Sequence, residues 1–371
     1  NSRWRRNGCA WRRHIPRYLV ENGEVMTTIA LPLVRPIRSE SAVGSAPHIA
    51  AVMAKRAKDV RLRVLIAVGL AVIAMLFFLL YGALDAWQII AALRIKRLAG
   101  LVVVAVALSA ATVLFQTVTR NRILSPSVIG FDAMFALVAT SLVFFLSARV
   151  TNLIPPALMF ALQASLMALL SVTMFLAIMR KGRASTHLLV LVGIVVGALL
   201  RSITTMMSII MDPNEFLTVQ DLSTASFAAI NTSALGITAL VTVIGLAYAI
   251  KRSRDWDVLA LGPDMATCLG LNYSREVKTV LATSALLVSA ATALVGPLMF
   301  FGLLVANIAV HALGSTSIRH LVPGASAIGI IVLVGGQAIL EHALSGGTIL
   351  PVVIELVGGA LLLVMLVRGS K

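Results

Sequence analysis

An all-α, polytopic membrane fold follows from three features of the chain: long uncharged apolar runs, a composition too apolar for a soluble core, and basic loops that alternate with less basic ones. Residues 65–81 (LIAVGLAVIAMLFFLLY), 98–114 and 188–200 carry no charge. A spanning helix needs about 20 mostly apolar residues, because the hydrocarbon core is roughly 30 Å thick and a helix rises about 1.5 Å per residue. No water there can satisfy backbone polar groups, so such runs must be helical. Hydrophobic residues make up 59% of the 371 and charged residues only 12%.

Ten spans are predicted, at 64–82, 98–118, 130–148, 156–179, 187–211, 235–251, 277–296, 301–314, 322–343 and 348–368. The eighth is short and is compatible with a re-entrant pair of half-helices. Residues 64–371 form one helical membrane domain, preceded by a basic arm, 1–63, expected to be largely disordered. The arm holds thirteen Lys/Arg against four Asp/Glu. Its residues before Met26 contain no Met and are rich in Arg and Trp, so they are set aside from the fold. The first span is too long for a cleavable signal peptide and lacks a small-residue cleavage site.

Loop charges set the orientation. Arg120 and Arg122 follow the second span; Arg180, Lys181 and Arg183 the fourth; Lys251, Arg252 and Arg254 the sixth; Arg319 the eighth. The alternate loops carry more acid, as at Asp212, Glu215 and Asp221. An even span count then puts both termini in the cytoplasm. Arg94, Lys96 and Arg97 break the pattern by lying outside. They suit contacts with acids of a docking protein, or an anchor to lipid phosphates. The net charge of +16 reports topology first, and the arm suits anionic lipid better than nucleic acid, since no aromatic interleaving accompanies it.

Two connections carry information. On the inner side, 252–277 has apolar spacing at Val258, Leu259 and Leu261, then a Gly262-Pro263 break, then a short helix from Asp264 to Leu269 capped by Gly270. Such a helix pair is a docking surface or an amphipathic connector. On the outer side, 212–233 starts with a Pro-Asn turn and continues as an apolar half-helix over 222–230.

Catalytic patterns are missing. There is no GxxxxGK[ST] loop, HExxH, GxSxG or pair of Asp-rich motifs, and Cys9 and Cys268 imply neither disulfide framework nor metal site. Intramembrane charges are few: Asp132, Arg201, Glu341 and Glu355. Such groups are costly in lipid and face a pathway or a partner. Arg201 and Glu355 line a path, or pair with each other or snorkel to the interface.

Residues 92–137 (ALRIKRLAGLVVV…FQTVTRNRILSPSVIGFDAMFAL) resemble the start of iron-chelate and cobalamin ABC importer permeases of the FecCD type. That family reads R-x-P-R, an apolar span, then Q-x-x-x-x-N-P-L-x-x-P-x-x-L-G. The matching positions here are Arg94, Arg97, Gln116, Asn121, Leu124, Pro126, Ile129 and Gly130. Leu259, Leu261, Gly262, Ala266, Leu269 and Gly270 are similar to L-x-L-G-x-x-x-A-x-x-L-G, the element that docks on the ATPase. Residues 296–314 (GPLMFFGLLVANIAVHALG) resemble G-x-I-x-F-V-G-L-x-x-P-H-I-A-R, and 321–323 the following L-L-P. The chain departs where Ala306-Asn307 replaces Pro-His, where Gln337 and Glu341 replace D-x-x-x-R, and where 349–351 lacks the Glu and Gly of E-L-P-x-G. It is most similar to the second permease of heterodimeric importers for catecholate-type siderophores.

The resemblance implies two inverted repeats, spans two to five and seven to ten, and ATP-driven import of a ferric siderophore across a bacterial cytoplasmic (inner) membrane. Its implied partners are ABC ATPase subunits that bind ATP and Mg, a sister permease, an extracytoplasmic siderophore-binding protein and membrane lipid. This chain itself is no enzyme and holds no cofactor. The departures tell against a homodimer. A secondary transporter or channel without an ATPase is the competing reading.

Overall fold

The computed structural model describes residues 46–80, 87–151, 153–179, 186–227, 230–343 and 350–369. The chain divides between Asp59 and Val60 into two compact units, and everything below concerns the second, Val60–Lys371. The first 45 residues of the arm lie outside the described residues.

Among the described residues the regular structure is helical. The helices are α1 (Ala46–Leu80), α2 (Trp87–Thr119), α3 (Phe131–Thr151), α4 (Pro156–Met179), α5 (Thr186–Ile210), α6 (Pro213–Ser223), α7 (Thr232–Lys251), α8 (Ser253–Leu259), α9 (Pro263–Cys268), α10 (Tyr273–Val295), α11 (Phe301–Leu313), α12 (Ile318–Ile330), α13 (Gly336–Ala343) and α14 (Leu350–Gly369). Seven contain a stretch long and apolar enough to cross a membrane, if α12 and α13 are counted as one span, Ile318–Glu341. Three shorter apolar helices, Phe131–Leu146, Phe301–Leu313 and Leu350–Val364, complete the ten predicted spans. Proline opens several of them, at Pro156, Pro213, Pro263 and Pro351, where its missing N–H costs no intrahelical bond.

The second and seventh spans form the centre: 72% of the α2 window and 67% of the α10 window are buried. They pack on each other, with α4, α7 and α12 around them. Lipid offers no hydrophobic drive for helices to associate, so close packing of small residues must do it. Buried Ala105, Ala107, Ala110 and Ala111 of α2 and Ala285, Ala290 and Ala291 of α10 allow that approach. Ser284 Oγ donates to the Ala111 carbonyl across the pair at 2.9 Å, a bond worth about 0.6 kcal/mol in this setting. Phe175 of α4 meets Phe115 at 6.2 Å and Phe131 at 5.7 Å, pinning α2, α3 and α4 together.

Two expectations need correction. The eighth span is one unbroken helix of 13 residues, α11, and not two half-helices. In the 212–233 connection the helix is Pro213–Ser223, not 222–230. Asp212 caps it by accepting from the Asn214 N–H at 2.9 Å, so the Pro-Asn pair begins a helix instead of making a turn. Thr224 ends the helix in an extended conformation, and the Ser226 N–H donates to the Val295 carbonyl at 2.8 Å. Residues 228–229 of the predicted half-helix lie outside the described residues.

Candidate functional site

The two short helices α8 and α9 sit where the sequence places them. Gly262 between them has φ +99° and ψ 170°, a region open essentially to glycine. Gly270 after them has φ +86°. The Leu271 N–H bonds the Ala266 carbonyl and the Gly270 N–H bonds that of Thr267, both at 3.0 Å. That double bond closes α9 as a Schellman motif. Leu259 and Ala266 are fully buried and fix the pair to the body. Leu261, Met265 and Leu269 do the opposite: at 57–64% exposure they form an apolar stripe with four-residue spacing. Met265 was not singled out from the sequence, although its spacing from Leu261 and Leu269 marks it.

Beneath this stripe the pair is wired into three other elements. Glu276 of α10, only 5% exposed, accepts from Arg252 and, at 3.0 Å, from Trp256 Nε1. Arg252 also meets Asp255 at 2.8 Å, so its charge is shared between two carboxylates. Asp257 reaches the start of α12, accepting from Ser317 Oγ at 2.7 Å and the Ile318 N–H at 2.8 Å. Arg120, itself at φ +49°, lays its guanidinium beside Gly262, where a Cβ would stand 2.8 Å from Nη1. These contacts gather the loops after the second, sixth and eighth spans at one end of the domain, the basic end.

The 121–130 segment is held inside the helices. Asn121 turns the chain by accepting from the Ile123 N–H at 2.9 Å. Gln116 Nε2 and Asn307 Nδ2 both donate to the Arg122 carbonyl, at 2.9 and 3.2 Å. Asn307, which stands where the family pattern has histidine, thereby ties α11 to this segment. The segment ends at Gly130, whose added Cβ would meet Gly197 Cα at 3.1 Å. Gly197 is eleven residues into α5, about 16 Å along it, so α3 begins well below the basic end.

Asp132 in the first turn of α3 lies within electrostatic reach of both Arg201 and Glu355. Among the described residues its Oδ2 is buried with no hydrogen-bond partner. Arg201 on α5 and Glu355 on α14 are exposed on the surface of the chain. No ion pair joins them among the described residues. The structure thus brings a carboxyl not assigned from the sequence, Asp132, to the expected pair, without joining the pair itself.

At the opposite end Arg97 has an intrachain role that the sequence did not suggest. Its Nη1 pairs with Glu341 at 2.5 Å, and its Nε donates to the Phe227 carbonyl at 3.2 Å. Gln337 Nε2 donates to the same Glu341 oxygen at 2.8 Å. The acid Arg97 meets within the chain is its own Glu341, a partner the sequence reading did not name. Arg94, half-buried, donates to the Phe78 carbonyl at 3.3 Å. The replacements at Gln337 and Glu341 that broke the family pattern are explained by this cluster. No group of three or more His, Cys, Asp or Glu positioned to hold a metal occurs among the described residues.

Comparison with known proteins agrees with this geometry. The profile of the FecCD transport family matches residues 62–368. The petrobactin import system permease protein YclO of Bacillus subtilis is 37% identical over 312 residues, covering 84% of this chain and 98% of that protein. The petrobactin import system permease protein FatC of Bacillus anthracis is 31% identical, covering 74% and 78% respectively. The ferric enterobactin transport system permease protein FepD of Escherichia coli is 31% identical over 56% of this chain and 61% of its own length. Among solved structures, an inward-facing metal-chelate type ABC transporter superposes with a TM-score of 0.73 at 19% identity, over 83% of this chain and 99% of that one, which carries the likeness of fold.

Proposed function

The chain belongs to the FecCD transport family, and we propose that it is the permease subunit of an ATP-driven importer that carries a ferric siderophore of the catecholate class into the cytoplasm. The observation that carries the ATP-driven reading is the apolar stripe Leu261, Met265 and Leu269, on a helix pair anchored from beneath by Leu259, Ala266 and Glu276. Exposed apolar residues among basic loops suit a protein partner better than water. The basic end lies in the cytoplasm by the positive-inside rule, an even span count puts both termini there, and the permease family supports the bacterial inner membrane.

On this reading two ATPase subunits bind ATP and Mg and act against α8 and α9 of this chain and the equivalent helices of a sister permease. This chain supplies no cofactor site and no chemistry. It supplies a path, with Arg201 and Glu355 on its wall, and a mechanical connection. An extracytoplasmic binding protein delivers the chelate to the opposite end, where half-exposed Arg94 meets acids of that protein. The repeats, spans two to five and seven to ten, are inverted, in keeping with the central packing of their first members α2 and α10 on each other.

The test is co-purification. Met265→Asp sets a charge in the middle of the stripe without touching the buried anchors. The operon's ATPase is expected to co-purify with the parent chain in detergent and to be recovered at less than a tenth of that level with the variant. Equal recovery from both, or a parent chain that transports with no ATPase bound, would overturn the proposal in favour of a secondary transporter or channel.

A further inference from the structure

The ninth span touches both ends of the domain through side chains that its own helix does not need for packing. At the basic end its first turn is capped from outside: Asp257 of α8 accepts from the Ile318 N–H and Ser317 Oγ, and Ser317 makes no side-chain cap of its own. An N-terminal N–H left without a partner is costly, and a carboxylate there also meets the positive end of the helix dipole. Any displacement of α8 therefore pulls on the start of α12 or uncaps it. At the far end Glu341 of α13 holds Arg97 of α2, and Arg97 in turn holds the Phe227 carbonyl in the segment after α6.

Between these joints the span is neither uniform nor rigid. Ile331–Gly335 is a single π-turn, followed directly by Gly336. Such a turn carries one extra residue, is locally underwound, and is a place where hydrogen-bond register shifts. Below it, α12 lies flush on α2: a Cβ at Gly329 would strike Ser109 Oγ and stand 3.2 Å from the Ala105 carbonyl. Closely packed helices of this kind can move by small shear. Ile318–Glu341 covers 24 residues, about 36 Å, enough to span the bilayer.

We propose that the ninth span is a connecting rod, with Asp257 and Glu341 as the positioning residues at its two ends. A stroke of α8 is passed through Asp257 to α12, and the π-turn converts it into movement of α13 that makes or releases the Glu341–Arg97–Phe227 clasp. The coupling element thereby opens and closes the segment 224–227 at the delivery end, through a clasp whose acid and cation lie 244 residues apart in sequence. The inference rests on the reading of α8 and α9 as the ATPase contact.

The experiment uses the whole complex, captured by a tag on the ATPase and reconstituted in proteoliposomes. Exposed Thr224 is changed to cysteine in a Cys9→Ser, Cys268→Ser background, and its reaction rate with a membrane-impermeant maleimide is measured before and after trapping with ATP and vanadate. Trapped nucleotide per complex normalises each ratio, which separates a broken rod from weakened hydrolysis. The rate is expected to change at least threefold in the parent. Asp257→Ala and Glu341→Gln should each bring the ratio to within 1.5-fold of unity. Ser317→Ala, which removes one of two bonds, should give an intermediate ratio and serves if Asp257→Ala does not assemble. A full response in Asp257→Ala or Ser317→Ala, or no response in an assembled parent, overturns the rod. A parent chain absent from the ATPase capture overturns the coupling reading instead.

Discussion

Gly262 shows how much one residue decides. Its backbone angles belong to a region where a side chain costs about 1–3 kcal/mol, and Arg120 closes the space a Cβ would need. The two penalties are separable. Gly262→Ala should reduce binding-protein-stimulated ATP hydrolysis several-fold, and adding Arg120→Ala should recover only the steric share. The residual loss in the double variant measures the backbone strain. A double variant equal to the parent would mean that the angles do not matter. Gly262 was legible because Gly-Pro punctuates a sequence plainly. Asn307 was not: its Nδ2 bonds the Arg122 carbonyl and that of Leu303, partners of which one lies 185 residues away.

At the scale of elements, the spans were legible because apolar length is a one-dimensional signal that lipid enforces. The connection after α5 was misread for an identifiable reason. Its apolar stretch around 222–230 looked helical, but the chain there is claimed by a backbone bond from Ser226 to Val295 and by the close approach of Ala225 to Gly296. The true helix announced itself in Asp212-Pro213-Asn214-Glu215, a cap, a first-turn proline and an acid at the third helical position. Asp212→Ala should cost about 1 kcal/mol of local stability. Amide exchange of residues 214–217 should then quicken by roughly fivefold while that of the α10 core stays unchanged. Unaltered exchange over 214–217 would show that packing against α3, and not the cap, holds α6.

At the scale of the whole molecule, the sequence places residues on elements but does not pair them. The joints that give the domain its mechanics, Asp257 with α12 and Arg97 with Glu341, link positions 60 and 244 residues apart. Charge inventory alone gave Arg201 and Glu355 a path to line, with a mutual ion pair as the alternative. Both are exposed, on α5 and α14, and no ion pair joins them among the described residues, although Asp132 is in reach of both. A buried ion pair and a pathway wall respond differently to mutation. Breaking a pair strands one charge at a cost of about 3–5 kcal/mol, and removing the second partner relieves it. Groups on a wall strand nothing, so Arg201→Leu and Glu355→Leu should each leave the amount of chain in the membrane within about twofold of the parent, and the double variant should show no mutual rescue. Uptake should behave otherwise. On the proposed path Arg201 offers a cation to the anionic groups of a ferric catecholate, so Arg201→Leu should lower radio-iron uptake at least tenfold, about 1.4 kcal/mol in the transport step. Membrane content and uptake measured on the four members of this cycle decide the matter: parent-level uptake in the double variant would remove both residues from the path.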